Sequence, residues 1–79
     1  MISLTLYSRP GCHLCDEMKA VVARVAGAIP LSLQEIDIST DPALEARYGP
    51  EIPVLLIAGK KAAKYRVTEA ALVRLLKGR

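Results

Sequence analysis

Two cysteines, Cys12 and Cys15, are the residues best suited to chemistry in this chain, and they are its only thiols. They lie where a short alternating apolar segment gives way to a long amphipathic pattern. Free N–H groups and the dipole at a helix start stabilise a thiolate, so the pKa of the Cys12 thiol is expected below about 8.5. Cys15, one turn further along the same face, can close a disulfide with it. The spacing predicts thiol–disulfide exchange, with Cys12 attacking a substrate disulfide and Cys15 resolving the mixed disulfide.

Other roles for a cysteine pair are less compatible with the surrounding residues. A structural zinc site usually takes four protein ligands, whereas this chain offers two cysteines and one histidine, His13, which is cramped between them. No metal ligands are therefore predicted within one chain, and a metal would need a second copy or an outside ligand. A c-type haem is excluded because Asp16, not histidine, follows Cys15. Two small buried side chains without chemistry are the remaining alternative.

Charged residues flank the cysteines and affect a thiolate in opposite directions. Asp16 and Glu17 suit the helix dipole but oppose a thiolate, whereas Arg9 favours it. Arg9 can also hold a carboxylate of a small acidic substrate, or it can be a solvated loop residue. His13 can stabilise the thiolate when protonated, or it can be an exposed residue at the first helical position. The sequence leaves both pairs of alternatives open.

Apolar periodicity and turn residues predict the element order β-α-β-α-β-β-α. The predicted strands cover residues 2–7, 31–38, 52–57 and about 61–66, and the predicted helices cover about 13–26, 42–48 and 69–76. The apolar phase of the second strand slips between Leu33 and Ile36, which predicts a bulge or an early end. Asp41 is the predicted N-cap of the second helix, and Gly49 its stop.

The last helix is predicted to begin with a Thr68 cap and to bury Leu72, Leu75 and Leu76 as one stripe. The first two strands should be parallel because a helix joins them, and the last two should form an antiparallel hairpin. The expected fold is a four-stranded mixed sheet with helices on both faces, in a single α/β domain over residues 1–79.

Composition limits the range of possible functions. A hydrophobic fraction of 52% with 24% charged residues indicates a globular chain. No apolar run is long enough to span a membrane. The N-terminal residues lack the basic region and the length of a signal peptide, so we expect a cytoplasmic location without membrane contact. In that compartment the two cysteines of a C-x-x-C motif are more often catalytic or metal-binding than a structural disulfide.

The net charge of +3 is unevenly distributed along the chain. Residues 1–50 carry four Lys/Arg against six Asp/Glu, and residues 51–79 carry seven against two. Tyr65 is the only aromatic residue in the basic half, which offers little for stacking bases. We therefore expect a solvated surface or docking of an acidic partner, and no nucleic acid.

The strand before Cys12, the C-x-x-C at a helix start, and Ile52-Pro53 before a buried strand together resemble the thioredoxin fold. Within that fold, residues 6–16 are similar to small bacterial glutaredoxin-like proteins. The resemblance covers nearly the whole chain. Further similar positions are Asp37, Asp41-Pro42, Tyr48-Gly49 and Thr68-Glu69-Ala70-Ala71-Leu72.

The resemblance implies roles for several residues. Cys12 would be the nucleophile and Cys15 the resolving thiol. Pro53 would follow a cis peptide bond beside the disulfide, and the Ile52 backbone would pair with an extended thiol substrate. Arg9 stands where glutaredoxins carry a Lys or Arg that contacts glutathione.

Three departures from the family pattern affect substrate binding. Leu14 replaces the usual aromatic residue inside the C-x-x-C, and Glu51-Ile52 replaces the usual Thr-Val before the proline. Tyr65-Arg66 stands where glutaredoxins carry a Gly-Gly pair that admits a γ-glutamyl carboxylate. The helix start at Thr68, assisted by Arg66, is predicted to receive an anionic group instead. Glutathione dependence is left open.

The resemblance and the cysteine pair predict a thiol–disulfide oxidoreductase acting on protein or low-molecular-weight disulfides. It would take part in electron transport and redox homeostasis, as a monomer with no tightly bound cofactor. Glutathione as co-substrate, or a thioredoxin-reductase-like protein, would supply the electrons. The alternatives are a thiol module that holds a metal or an iron–sulfur cluster across a dimer, and a redox-inert adaptor that docks through its basic half.

Overall fold

The computed structural model describes residues 1–78, and its elements follow the predicted order. The strands are β1 (Ile2–Ser8), β2 (Leu31–Asp37), β3 (Val54–Ile57) and β4 (Lys60–Lys64), and the helices are α1 (His13–Ala26), α2 (Pro42–Tyr48) and α3 (Glu69–Lys77). Short 3₁₀ turns occupy Ile38–Thr40 and Gly49–Glu51. Within residues 1–78, every helix is too short or too polar to cross a membrane. The predicted domain extended to Arg79, which lies outside the described residues.

The four strands form one mixed sheet in the order β2-β1-β3-β4. β1 and β2 are parallel and β3 and β4 are antiparallel, as the connections predicted. β3 is also antiparallel to β1, a pairing that the sequence analysis did not predict. Ala58 and Gly59 connect β3 to β4 with φ values of 51° and 82°, the left-handed pair of a tight hairpin turn. β1 and β3 are adjacent at the centre of the sheet. The strand that leads to Cys12 and the strand that follows Pro53 therefore lie side by side.

The predicted bulge or early end in β2 is wrong. The register with β1 is continuous, from Ile2 opposite Leu31 to Ser8 opposite Asp37. The apolar residues of β2 change from one face of the sheet to the other because helices cover both faces. Leu33 lies opposite the core residue Leu4, whereas Ile36 lies opposite Tyr7, whose ring stacks on Tyr48 of α2 with centroids 4.6 Å apart.

The main core lies between the sheet and the pair of helices α1 and α3. Its buried residues are Leu4, Leu6, Met18, Val22, Val25, Leu55, Ile57, Leu72 and Leu76. The predicted α3 stripe is wrong at Leu75, which is 39% exposed while Leu72 is fully buried. Leu72 and Leu76 are one turn apart and face the sheet, so Leu75 falls at the edge of the buried face.

Local capping follows the sequence predictions. The Asp41 carboxylate accepts hydrogen bonds from the N–H groups of Ala43 and Leu44 at 3.0 and 3.4 Å. The Thr68 hydroxyl accepts one from Ala71 N–H at 3.1 Å. β4 ends earlier than predicted because Tyr65 adopts φ 66°, a left-handed conformation that does not continue a strand.

Candidate functional site

The turn between β1 and α1 places Cys12 at the N-cap of α1. Gly11 has φ 77°, which turns the chain, and Cys12 N–H donates to the Arg9 carbonyl at 3.3 Å. Cys12 itself is extended, and its Sγ atom accepts a hydrogen bond from the N–H of Cys15 at 3.1 Å. A sulfur in this position receives one of the free N–H groups of the helix start, which favours the thiolate.

Cys12 and Cys15 form a disulfide across the first turn of α1. Their Cα atoms are 5.2 Å apart, which is within the usual range for a disulfide. Cys15 is only 1% exposed, whereas Cys12 is partly exposed. This difference leaves Cys12 accessible to another molecule and shields Cys15 behind it.

The Ile52–Pro53 peptide bond is cis, as the resemblance implied. Pro53 is buried and Ile52 is half-buried, at the start of the central strand β3. The Pro53 carbonyl accepts a hydrogen bond from Tyr65 N–H at 2.9 Å, so the end of β4 is tied to this segment. The binding of substrate by Ile52 and Pro53 stays a prediction.

Arg9 is held against α2 through an ion pair with Glu45. A Cβ atom on Gly49 would lie 3.2 Å from the Arg9 guanidinium, so the glycine makes room for this side chain. A substrate carboxylate at Arg9 would have to compete with Glu45. Its role in substrate binding stays a prediction.

Arg66 and Thr68 lie on a different side of the motif from Arg9, along a groove that also contains Leu14. The Arg66 guanidinium is 74% exposed and 3.9 Å from the Glu17 carboxylate. The Thr68 hydroxyl is already engaged as the cap of α3. The structure thus brings Arg66 and Thr68 near the C-x-x-C, with Arg66 as the freer of the two to meet an anion.

His13 occupies the first position of α1 and is 87% exposed at its side chain. Its Nε2 atom lies 3.1 Å from the Glu17 carboxylate, one turn along the helix. Of the two roles considered for His13, this placement matches an exposed residue at the first helical position. Among residues 1–78, the structure contains no group of three or more His, Cys, Asp or Glu side chains arranged to hold a metal ion.

Two features of the site were missed by the sequence analysis. Ser8, nearly fully buried at the end of β1, donates to Glu35 of β2 at 2.8 Å, and Lys19 of α1 reaches the same carboxylate at 3.3 Å. This network ties together the three elements that surround the Cys12 turn. The sequence analysis assigned no role to Glu35, because its partners Ser8 and Lys19 come from other elements and are not visible in a local pattern.

Tyr65 is the second missed feature. Its φ of 66° is uncommon for a bulky residue, and its hydroxyl donates to the Pro50 carbonyl at 3.4 Å. Such a conformation normally selects Gly, Asn or Asp, so a tyrosine by itself carries no signal for it. The signal that could have indicated it is the Gly-Gly pair that glutaredoxins carry at about this position. Tyr65 therefore links the end of β4 to the segment around the cis-proline, with its side chain partly exposed.

Comparison with known proteins gives the family of the chain. Residues 3–77 match the model of the glutaredoxin-like domain (DUF836). The chain belongs to this glutaredoxin-like family. An uncharacterized protein from Mycobacterium tuberculosis is 26% identical over 69 residues, which are 81% of this chain and 71% of that relative.

Solved structures show the same architecture. A structural genomics target protein from X. campestris is 33% identical, with a TM-score of 0.82 over 96% of this chain and 97% of the other. The protein Ne2328 from Nitrosomonas europaea is 28% identical, with a TM-score of 0.81 over 94% and 89% of the two chains. A thioredoxin from Halobacterium salinarum, at 24% identity and a TM-score of 0.68 over 98% and 73%, shares the fold. The predicted thioredoxin fold is confirmed.

Proposed function

We propose that this glutaredoxin-like protein is a thiol–disulfide oxidoreductase in which Cys12 is the attacking residue and Cys15 the resolving residue. One observation carries the proposal: the two cysteines are joined across the first turn of α1, with Cys12 partly exposed and Cys15 buried. A partner can therefore reach only one of the two sulfurs directly. The hydrogen bond from Cys15 N–H to Cys12 Sγ favours that sulfur as a thiolate and as a leaving group.

The reaction begins from the dithiol form. The Cys12 thiolate attacks one sulfur of a substrate disulfide, forming a mixed disulfide and releasing the first substrate thiol after it takes up a proton. The Cys15 thiolate then attacks Cys12 Sγ, which forms the Cys12–Cys15 disulfide and releases the second substrate thiol. Two electrons and two protons pass from the protein to the substrate.

The dithiol must be regenerated by an outside reductant. Two molecules of a low-molecular-weight thiol such as glutathione, or one dithiol of a reductase protein, supply the two electrons. We propose a cytoplasmic monomer without a tightly bound cofactor, acting in redox homeostasis. The proposed partners are protein disulfides and the electron donor, without nucleic acid or membrane.

Single-cysteine variants test the proposal directly. Cys12→Ser should abolish reduction of a protein disulfide such as that of insulin, because no accessible sulfur remains. Cys15→Ser should instead accumulate a mixed disulfide at Cys12, detectable by mass spectrometry without reductant. Full activity of Cys12→Ser would overturn the proposal, and inertness of both thiols in the reduced chain would favour the adaptor alternative.

A further inference from the structure

A groove of about 680 Å³ runs between α1, β4 and α3 and begins at Leu14, inside the C-x-x-C. We propose that this α1–α3 groove binds an apolar side chain of a protein client, on an acidic segment next to the cysteine that Cys12 attacks. This inference rests on the proposed function, and it assigns the substrate class as an apolar and acidic peptide segment. The groove volume is in the range of pockets that bind ligands.

Small side chains create the groove. Ala62 and Ala63 of β4 and Ala71 of α3 line it, at half-buried positions where longer side chains would fill the space. Val21 and the partly exposed Leu75 extend the apolar lining away from the cysteines. A client side chain that covers this surface is favoured in proportion to the apolar area removed from water.

The groove reaches the C-x-x-C through Leu14, although neither cysteine lines it. Leu14 is two residues from Cys12 and one from Cys15, and it belongs to the groove lining. In an extended client segment, a residue two positions from the attacked cysteine lies about 6.6 Å away and points to the same side as that cysteine. Such a residue can enter the groove while its cysteine meets Cys12.

Basic side chains line the outer edge of the groove. Lys64 and Arg66 are both exposed there. Beyond the groove, Lys60 adds a further exposed positive charge on β4, whereas Lys61 is ion-paired with Glu51. Glu17 is the one carboxylate among the lining residues, and it faces Arg66 at 3.9 Å. This distribution favours acidic residues in the client and speeds their encounter at low salt.

Tyr65 forms a fixed wall of the groove. Its N–H donates to the Pro53 carbonyl at 2.9 Å and its hydroxyl donates to the Pro50 carbonyl at 3.4 Å. The first bond fixes the backbone of Tyr65 after β4, and the second directs its partly exposed ring toward the segment before β3. Because hydrogen bonds keep Tyr65 in place, the groove is formed before a client binds. Binding then does not have to order Tyr65.

The test compares three disulfide substrates on the intact protein. Two are disulfide-linked peptides with the same acidic flanks, one with Leu and one with Gly two positions from the cysteine. The third is the small neutral bis(2-hydroxyethyl) disulfide. On the unaltered chain, kcat/KM for the Leu peptide should exceed that for the Gly peptide by about tenfold. Equal values for the two peptides would overturn the proposal without needing any variant.

Two matched variants locate the effect. Ala71→Met fills the groove, whereas Ala70→Met places the same side chain on the exposed face of the same helix. Ala71→Met should remove the preference for Leu over Gly, and Ala70→Met should keep it. A preference that survives Ala71→Met would place the apolar contact elsewhere and overturn the proposal.

A charge-reversal variant tests the acidic part of the proposal. Lys64→Glu should lower kcat/KM for the acidic Leu peptide severalfold relative to a peptide with neutral flanks, with a smaller effect at high salt. Equal effects on the two peptides would reject the acidic client. The three substrates together separate the two proposals. Failure to reduce any of them, bis(2-hydroxyethyl) disulfide included, would overturn the proposed redox function, whereas reduction without a Leu preference would overturn only the groove.

Discussion

The backbone N–H of Cys15 points at the Sγ atom of Cys12 at 3.1 Å, so the residue that we propose to resolve the mixed disulfide also supplies a hydrogen bond to the sulfur that we propose to attack. The contact arises because Cys12 is the N-cap of α1, where the first N–H groups have no partner within the helix. The same geometry places Cys15 behind Cys12, in the core. The start of α1 therefore accounts for both parts of the proposal, the activation of Cys12 and the attack by Cys15 in the second step.

The first prediction concerns the reactivity of the reduced protein. Alkylation of Cys12 by iodoacetamide should show a pH midpoint below about 8.5, because the helix start stabilises its thiolate. Cys15 should react far more slowly, because it is buried. Rates measured from pH 5 to 10, with the sites assigned by mass spectrometry, check both statements. A midpoint at or above that of a free thiol would contradict this account of the site.

The second prediction concerns Arg9. Glu45→Gln should release the Arg9 guanidinium and lower the KM for the anionic glutathione disulfide severalfold, provided that Arg9 binds a substrate carboxylate. Arg24→Gln breaks an exposed ion pair of the same kind, with Glu69, from its Arg24 side in the last turn of α1 and serves as the control, in which the KM should not fall. An unchanged KM in Glu45→Gln would remove Arg9 from the substrate site and leave it as a link between the Cys12 turn and α2.

The third prediction separates two leucines of the last helix. Leu72→Ala should lower the free energy of unfolding by about 2–5 kcal/mol, because Leu72 is fully buried between α3 and the sheet. Leu75→Ala should cost about 1 kcal/mol or less, because its side chain borders the groove and remains partly exposed. Urea denaturation of both variants checks the difference. Equal losses would mean that Leu75 belongs to the core after all.

The fourth prediction concerns acid stability. The Ser39 hydroxyl and N–H donate to the Asp37 carboxylate at 2.6 and 2.9 Å, and these bonds lower the pKa of Asp37. A depressed folded pKa contributes stability above the unfolded value, and this contribution is lost as the pH falls through the folded pKa. Ser39→Ala should therefore be less stable than the unaltered chain near pH 6, and the difference should shrink below pH 3.8, the ordinary pKa of this carboxyl.

The matched control for this prediction is Ser32→Ala, at an exposed serine of the neighbouring strand β2. Its difference in unfolding free energy from the unaltered chain should stay constant over the same pH range. Urea midpoints from pH 6 to 3 provide the measurement. A Ser39→Ala difference that does not change with pH would show that the hydroxyl does not act through the Asp37 charge.

Some positions were predicted wrongly because their surroundings come from distant parts of the chain. The apolar slip between Leu33 and Ile36 resembled a bulge, but α2 covers one face of the sheet and changes which residues of β2 are buried. The exposure of Leu75 depends on how α3 is rotated against the sheet, which periodicity alone specifies only within one residue position. Neither feature is visible in a local window.

What the sequence by itself determined is the set of local features: the order of elements, the Asp41 and Thr68 caps, and the position of the cysteines at a helix start. These depend on residues within one or two turns of each other, so spacing and side-chain chemistry are sufficient. Only the tertiary structure decided that Arg9 pairs with Glu45, that Tyr65 is hydrogen-bonded to the proline segment, and that a groove opens at Leu14. Each of these depends on packing between elements that are far apart in the chain. The sequence contains both residues of each contact, but only the fold brings them together.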